Sequence, residues 1–255
     1  MSSRDIRRRY GQNYLKDPAI LFEMGNAISP QENDNFIEIG PGLGALTNQI
    51  NQKDVNIIGI DVDAKNIEFL KKKFQKPANF IFINQDILHY EIEALDINHR
   101  IIGNLPYNIS TQIILKLIDS VKKIQDMHFL VQKEVAQKIT GKVGSKSWGK
   151  LAIKISTFFE SEILFEVPPD AFDIKPKVNS SFIRMTPKKD LNYELDIKEK
   201  LYEIIDLAFS SRRKNIKNNL KSLSVDWRAL NIDSTKRPEE ISLDDFVKIT
   251  QGHLL

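Results

Sequence analysis

Hydrophobic positions in the first half of the chain fall into short β-branched runs separated by stretches with helical spacing. Phe36-Ile-Glu-Ile-Gly40, Val55-Asn-Ile-Ile-Gly-Ile60, Phe80-Ile-Phe-Ile83 and Arg100-Ile-Ile-Gly103 read as strands. Residues 45–51 and 64–74 read as helices, the second with Ile67, Leu70 and Phe74 at helical spacing and a lysine-rich outer side. Such alternation predicts βαβ units and a parallel sheet. A helix over 110–120, a strand over 127–131 and a helix over 133–140 follow. Residues 141–150, rich in Gly, Ser and Lys, read as a loop. An apolar helix over 151–159 then precedes strands over 162–167 and 180–185, joined by a proline-rich connection. Beyond Thr186-Pro-Lys-Lys189 the β-branched runs stop, and helical patterns occupy 201–223 and the stretch from about Pro238. The pattern predicts an α/β domain over residues 1–187, with a seven-stranded, mostly parallel sheet, and a small all-α domain over residues 188–255.

Composition narrows the class. Of 255 residues, 41% are hydrophobic and 28% charged, which excludes a disordered chain. A net charge of +3 leans only weakly toward anionic partners, so clustering of the cations matters more than their total. The absence of cysteine excludes disulfides, thiolate metal sites and cysteine nucleophiles, and favours a reducing, intracellular setting. The first nine residues lack an apolar core, and no later stretch approaches the ~20 apolar residues of a membrane helix. A cytoplasmic monomer with no metal and no membrane partner is expected.

Three strand ends carry groups suited to a nucleotide-type cofactor. Glu38-Ile-Gly-Pro-Gly-Leu-Gly44 places Gly40, Gly42 and Gly44 between a strand and a helix, where backbone can approach a ligand closely. Asp61-Val-Asp63 ends the next strand about 20 residues on, where a carboxylate can accept from ribose hydroxyls. Asn84-Gln-Asp86 puts another acid after the third. Glycine spacing does not separate a nicotinamide cofactor from S-adenosyl-L-methionine, but the fourth strand does. It ends in Gly103-Asn-Leu-Pro-Tyr107. The Asn104 carboxamide oxygen and the Leu105 carbonyl, held rigid because Pro106 fixes φ, can both accept from one exocyclic amine on which Tyr107 stacks. That arrangement aims an amine lone pair at an electrophilic methyl, whereas a dehydrogenase wants a proton-transfer group here. His89, His99, His128 and His253 lie in none of these motifs.

Gly11-Gln-Asn-Tyr-Leu15, Glu38 to Gly44, Gly103-Asn-Leu-Pro-Tyr-Asn-Ile-Ser110, Gln132-Lys-Glu134, Val167-Pro-Pro169, Phe172 and Pro176-Lys-Val178 together resemble the rRNA adenine N6,N6-dimethyltransferase family, in its bacterial 16S rRNA branch. The likeness spans nearly the whole chain. It implies a class I, Rossmann-like methyltransferase fold and S-adenosyl-L-methionine as cofactor. The implied substrate is a pair of adjacent adenosines in the hairpin loop near the 3′ end of 16S rRNA, modified in the small ribosomal subunit during its assembly, and loss of that activity is associated with kasugamycin resistance. By the same likeness, Asn13, Leu15, Gly40, Asp61, Asp86 and Asn104 contact the cofactor, with Asp61 on the ribose and Asp86 at the adenine, and Phe172 sandwiches the target base with Tyr107. The chain departs from the family pattern in Tyr14, where Phe is usual, in Asp61, where the longer Glu is commoner, and in Asn179-Ser-Ser181, where Asp-Ser-Ala is more typical.

Two basic segments suit phosphate: Arg7, Arg8 and Arg9, with Arg4 and Lys16, and Arg212, Arg213 and Lys214, with Lys217 and Lys221, expected on a helix. Lys142, Lys146 and Lys150 offer a third contact, and Trp148 is either a base-stacking or a packing residue. Two alternatives stay open: a 23S rRNA methylase of the erythromycin-resistance type, against which the Gly-Gln-Asn and Arg-Arg-Lys-Asn segments count, and an assembly factor whose binding is its main service.

Overall fold

The computed structural model describes residues 13–75, 79–189 and 197–253. Seven strands form one sheet: β1 (Asn35–Ile39), β2 (Asn56–Asp61), β3 (Phe80–Asn84), β4 (His99–Asn104), β5 (Ile124–Gln132), β6 (Phe159–Val167) and β7 (Ser180–Pro187), in the order β3-β2-β1-β4-β5-β7-β6. The pairs β1 with β2, β2 with β3, β1 with β4 and β4 with β5 are parallel. Strand β7 runs antiparallel to β5, with Gln132 opposite Ser180. From β1 the chain winds outward to β2 and β3, then returns to lay β4 on the other side of β1. That reversal of direction opens a crevice at the carboxyl ends of β1 and β4.

A helix the sequence reading did not anticipate, α1 (Pro18–Ile28), precedes β1. Asp17 caps it, accepting from the N–H groups of Ala19 and Ile20, and Pro18 occupies the first turn, where its missing N–H costs nothing. Leu21, Met24 and Ile28 recur at helical spacing and pack into a core with Leu15, Phe36, Ile57 and Phe172. Helices α2 (Ala45–Ile50), α3 (Ala64–Lys73), α4 (Ser110–Leu117) and α5 (Lys133–Ile139) lie where the alternation places them.

At the amino ends of β1, β4 and β5, far from the crevice, the buried Arg100 guanidinium is clasped from several sides. It donates to Asp34 at 2.7 Å, to both carboxylate oxygens of Asp126 at 2.9 Å, and to the carbonyls of Ile28 and Ser29 that end α1. One side chain thus ties the end of the first helix to the amino ends of the central strands.

By internal contacts the chain divides into two compact units, one comprising residues up to Ala136 with Glu162–Pro187, the other Gln137–Ser161 with Lys188 onward. Residues 137–161 therefore fall outside the first unit, in which a 1–187 domain would put them. The reason is apolar burial. Trp148, Ala152 and Ile153, the last two on α6 (Lys150–Ser156), share a core with Leu201, Ile204 and Phe246. Trp148 also donates its indole N–H to the Ile241 carbonyl at 2.8 Å, which makes it a packing residue. The tail holds α7 (Lys198–Ala208), α8 (Ile216–Asn219) and α9 (Leu243–Gln251). The helical stretch expected over 201–223 is broken, because Asn215 caps α8 by accepting from the Asn218 N–H. Arg212, Arg213 and Lys214 accordingly sit in the turn before α8, not on a helix, and only Lys217 is helical. Among the described residues no helix is long and apolar enough to cross a membrane, and no cluster of His, Asp and Glu suits a metal ion.

Candidate active site

The crevice holds a cleft lined by groups at or after the carboxyl ends of β1, β2, β3 and β4, and by the segment before α1, among them Asn13, Gly40, Gly42, Asp61, Asp86, Asn104, Leu105, Pro106 and Tyr107. None of the four histidines lines it. After β1 the chain turns through Gly40 at φ +64° and Gly42 at φ +56°, backbone that side chains strain to adopt. A Cβ on Gly40 would meet no protein atom within 4 Å and would stand in the open cleft, while one on Gly42 would strike the Tyr14 ring at 2.7 Å.

Asp61, the last residue of β2, is almost fully buried. One of its oxygens accepts from the Gly42 N–H at 3.2 Å and from the Asn66 amide at 3.0 Å, and the other from the Asp63 N–H at 2.8 Å. A carboxylate accepts about four hydrogen bonds, so the second oxygen retains capacity for a ligand. Burial pushes its pKa above the usual 3.8, against the pull of those three donors. Asn66 is itself held, because Tyr14 donates its hydroxyl to the Asn66 oxygen at 3.2 Å. Sequence reading noted Tyr14 as a departure but missed this chain of contacts, whose members lie 52 and 5 positions apart. Asp86 turns one oxygen to the Leu88 N–H at 2.9 Å and caps the short turn that follows β3.

Asn104, the last residue of β4, donates its side-chain amide to the Asn13 carbonyl at 2.7 Å. That commitment fixes the orientation of the carboxamide and leaves its oxygen as the atom offered to a ligand. Leu15 lies apart from the first cleft but lines an adjoining cavity with Glu38, Leu43 and Lys16, and Tyr14, Gly40 and Asn104 border both.

Phe172, which the family likeness puts beside the target base, lies in the core of this structure. It is fully buried in the core with Leu21 and Phe182, its backbone bridges Leu15, and it lines neither cavity. Packing of the α1 side of the sheet claims the ring. Arg7, Arg8 and Arg9 lie outside the described residues, whereas Arg212, Arg213, Lys214 and Lys217 are exposed in the second unit. Lys142 and Lys146 are exposed, while Lys150 pairs with Asp206 at 3.1 Å.

Glu38 is a further polar residue that sequence reading left without a role. It is buried on β1, accepts from the Thr47 hydroxyl at 2.6 Å, and has its pKa pushed from 4.5 to about 7, chiefly by loss of solvent and further by the Asp61 charge, with Lys73 opposing. A carboxyl that binds its proton more tightly folded than unfolded adds stability below about pH 4.5, and that contribution is lost as pH rises through about 7. Glu38→Gln, which does not titrate, is expected to gain ~3 kcal/mol relative to the unaltered protein between pH 4 and pH 8. Urea denaturation across that range checks this, and parallel stability curves for the two proteins would contradict it.

A seven-stranded, mostly parallel sheet with a cleft at the carboxyl ends of β1 to β4 is the Rossmann-like architecture of a class I methyltransferase. The comparisons with known proteins agree. Residues 3–251 match the family described as ribosomal RNA adenine dimethylase. A protein of Legionella pneumophila (strain Corby) named ribosomal RNA small subunit methyltransferase A is 41% identical over 248 residues, 96% of each chain. One of the same name from Coxiella burnetii (strain Dugway 5J108-111) is 37% identical over 254 residues, 98% of each. The chain belongs to the ribosomal RNA adenine dimethylase family. Two solved structures show the same fold: a dimethyladenosine transferase from Plasmodium falciparum, with TM-score 0.80 and 23% identity over 92% of this chain and 95% of that one, and the 23S rRNA methyltransferase ErmE, with TM-score 0.76 and 20% identity over 95% and 100%.

Proposed function

We propose that the protein uses S-adenosyl-L-methionine to dimethylate N6 of two adjacent adenosines in the hairpin loop near the 3′ end of 16S rRNA, in the small ribosomal subunit in the cytoplasm. The observation that carries this reading is the Asn104 amide locked onto the Asn13 carbonyl, which offers an acceptor oxygen at the lip of a cofactor-sized crevice. The residues present fit the cofactor. A Cβ on Gly40 would fill the cradle that a ligand needs, Asp61 keeps acceptor capacity for a ribose hydroxyl, and Asp86 lines the same wall. Gly42 and Asn13 border the same cleft, and Leu15 the adjoining cavity.

The cofactor supplies an electrophilic methyl group. The chain supplies position. Asn104 Oδ1 and the Leu105 carbonyl accept the two N–H bonds of the adenine amine and turn its lone pair out of the ring system, with Pro106 fixing the turn and Tyr107 covering the base. As the new N–C bond forms, a proton leaves the amine by way of these acceptors to water. A monomethylated amine still has one N–H, which Asn104 Oδ1 accepts to orient it for the second transfer.

Exposed Arg212, Arg213, Lys214 and Lys217 suit rRNA phosphates, and Arg7, Arg8 and Arg9 join them in this proposal on sequence grounds. Asp61→Ala is expected to lose a charge-assisted hydrogen bond of ~1.5–3 kcal/mol and to raise the cofactor dissociation constant about tenfold or more. Tyr14→Phe, which frees Asn66, should raise it by about threefold. Calorimetry giving unchanged affinity for Asp61→Ala would remove that residue from the site. The function itself is tested by mapping methylated adenines in rRNA from cells with and without the gene. Loss of dimethyladenosine from 16S rRNA supports it. Loss from 23S rRNA would favour the erythromycin-resistance type of activity instead.

A further inference from the structure

The antiparallel strand β7 begins where the parallel strands end. Its first residue, Ser180, lies opposite Gln132 at the carboxyl end of β5, so it comes to the same edge of the sheet as the segment after β4. There the Ser180 hydroxyl meets the Tyr107 hydroxyl at 2.6 Å, a contact between residues 73 positions apart. Ser180 is fully buried, whereas Tyr107 is half-buried and lines the cleft.

We propose that Ser180 is a positioning residue for methyl transfer, holding the Tyr107 ring at the angle at which the acceptor base stacks on it. The inference rests on the reading of Tyr107 as the aromatic that covers the adenine.

A tyrosine in a turn can swing about its side-chain torsions, and stacking alone leaves the rotation of the ring free. A short hydrogen bond from a strand hydroxyl fixes the far end of the ring, and the strand is itself held by the ladder to β5. Because Ser180 is fully buried, solvent competes weakly at its end of the bond. Burial pushes the Tyr107 pKa up, so both hydroxyls keep their protons at neutral pH and either can donate. The neighbouring Ser181 shows that burial alone does not supply such a partner: its hydroxyl is buried with none. A displacement of about 1 Å in a group that aligns a nucleophile is enough to slow a reaction substantially.

The test compares Ser180→Ala, Tyr107→Phe and the double variant in single-turnover methylation of small ribosomal subunits at saturating S-adenosyl-L-methionine. Each single change breaks the same hydrogen bond, so each is expected to lower the rate about tenfold, with cofactor affinity within twofold and the double variant no slower than the slower single. A second readout uses an RNA oligonucleotide carrying 2-aminopurine in place of the acceptor adenine. Stacking on the ring quenches its fluorescence, and Ser180→Ala should weaken the quench. Ser181→Ala, on the same strand, should change neither. A Ser180→Ala protein that melts earlier but methylates and quenches normally well below its melting temperature would overturn the proposal, as would additive losses in the double variant. If Ser180→Ala does not fold, Tyr107→Phe reports on the same bond from the accessible side, and a normal rate there is equally fatal. A normal rate in Tyr107→Ala would bring down the reading of Tyr107 and this proposal together. A slow Tyr107→Ala beside a normal Ser180→Ala would bring down the proposal alone.

Discussion

Asn104→Ala is expected to transfer methyl groups about 10² to 10³ times more slowly than the unaltered protein, while binding RNA equally well. The carboxamide does two things at once. Its amide side is committed to the Asn13 carbonyl at 2.7 Å, and its oxygen is thereby held toward the cleft as a preorganised acceptor. Alanine removes that acceptor and releases the Asn13 segment, so the adenine amine keeps only the Leu105 carbonyl and its lone pair is no longer aimed. Loss of one preorganised electrostatic contact costs ~3–4 kcal/mol in the transition state, which gives the stated fall in rate. Asn104 also borders the cofactor cleft, so the rate is read in single turnovers after saturation with S-adenosyl-L-methionine has been shown. A rate within threefold of the unaltered protein would refute the amine-positioning role.

Arg100→Ala is expected to destabilise the protein by ~3–5 kcal/mol, because it strands two carboxylates and two carbonyls that share one cation. Asp34 and Asp126 are largely withdrawn from solvent, with 13% and 17% of their side chains exposed, so water replaces the guanidinium poorly. Arg100→Lys should recover only part of the loss, since an ammonium cannot reproduce the bidentate contact with Asp126 while also reaching Asp34 and the end of α1. Urea denaturation measures both. Arg100 is on β4, as is Asn104, but at the opposite end of the strand, so the folded fraction should methylate normally. A loss below about 1 kcal/mol would mean that the cluster contributes no more than a surface pair.

How much of this was legible in the sequence depends on the range of the interaction. Strands β1 to β4 were, because their β-branched runs stand out between stretches of helical spacing, and each is followed by residues that line the cleft. Helix α1 carried a usable signal in Asp17-Pro18 followed by Leu21, Met24 and Ile28, but its apolar stretch contains Gly25 and no charged stripe that would have drawn attention to the period. The break between α7 and α8 was likewise written in Ser210-Ser211 and the capping Asn215. By contrast, nothing local in the sequence joins Arg100 to Asp34, Tyr14 to Asn66 or Tyr107 to Ser180, which are 66, 52 and 73 positions apart and meet only once strand order is fixed. Phe172 shows the converse. Its place in a motif implied a role at the base, whereas packing against Leu15 and Leu21 turned the ring into the core.

The most direct test of the proposed function is to incubate purified protein and S-adenosyl-L-methionine carrying a labelled methyl group with small ribosomal subunits that lack adenine methylation, then to locate the label by nuclease mapping and mass spectrometry. The expected result is four methyl groups per subunit, two on N6 of each of two adjacent adenosines in the hairpin loop near the 3′ end of 16S rRNA. Label on cytosine or ribose, on adenines elsewhere, or on 23S rRNA alone when large subunits are offered as well, would contradict it.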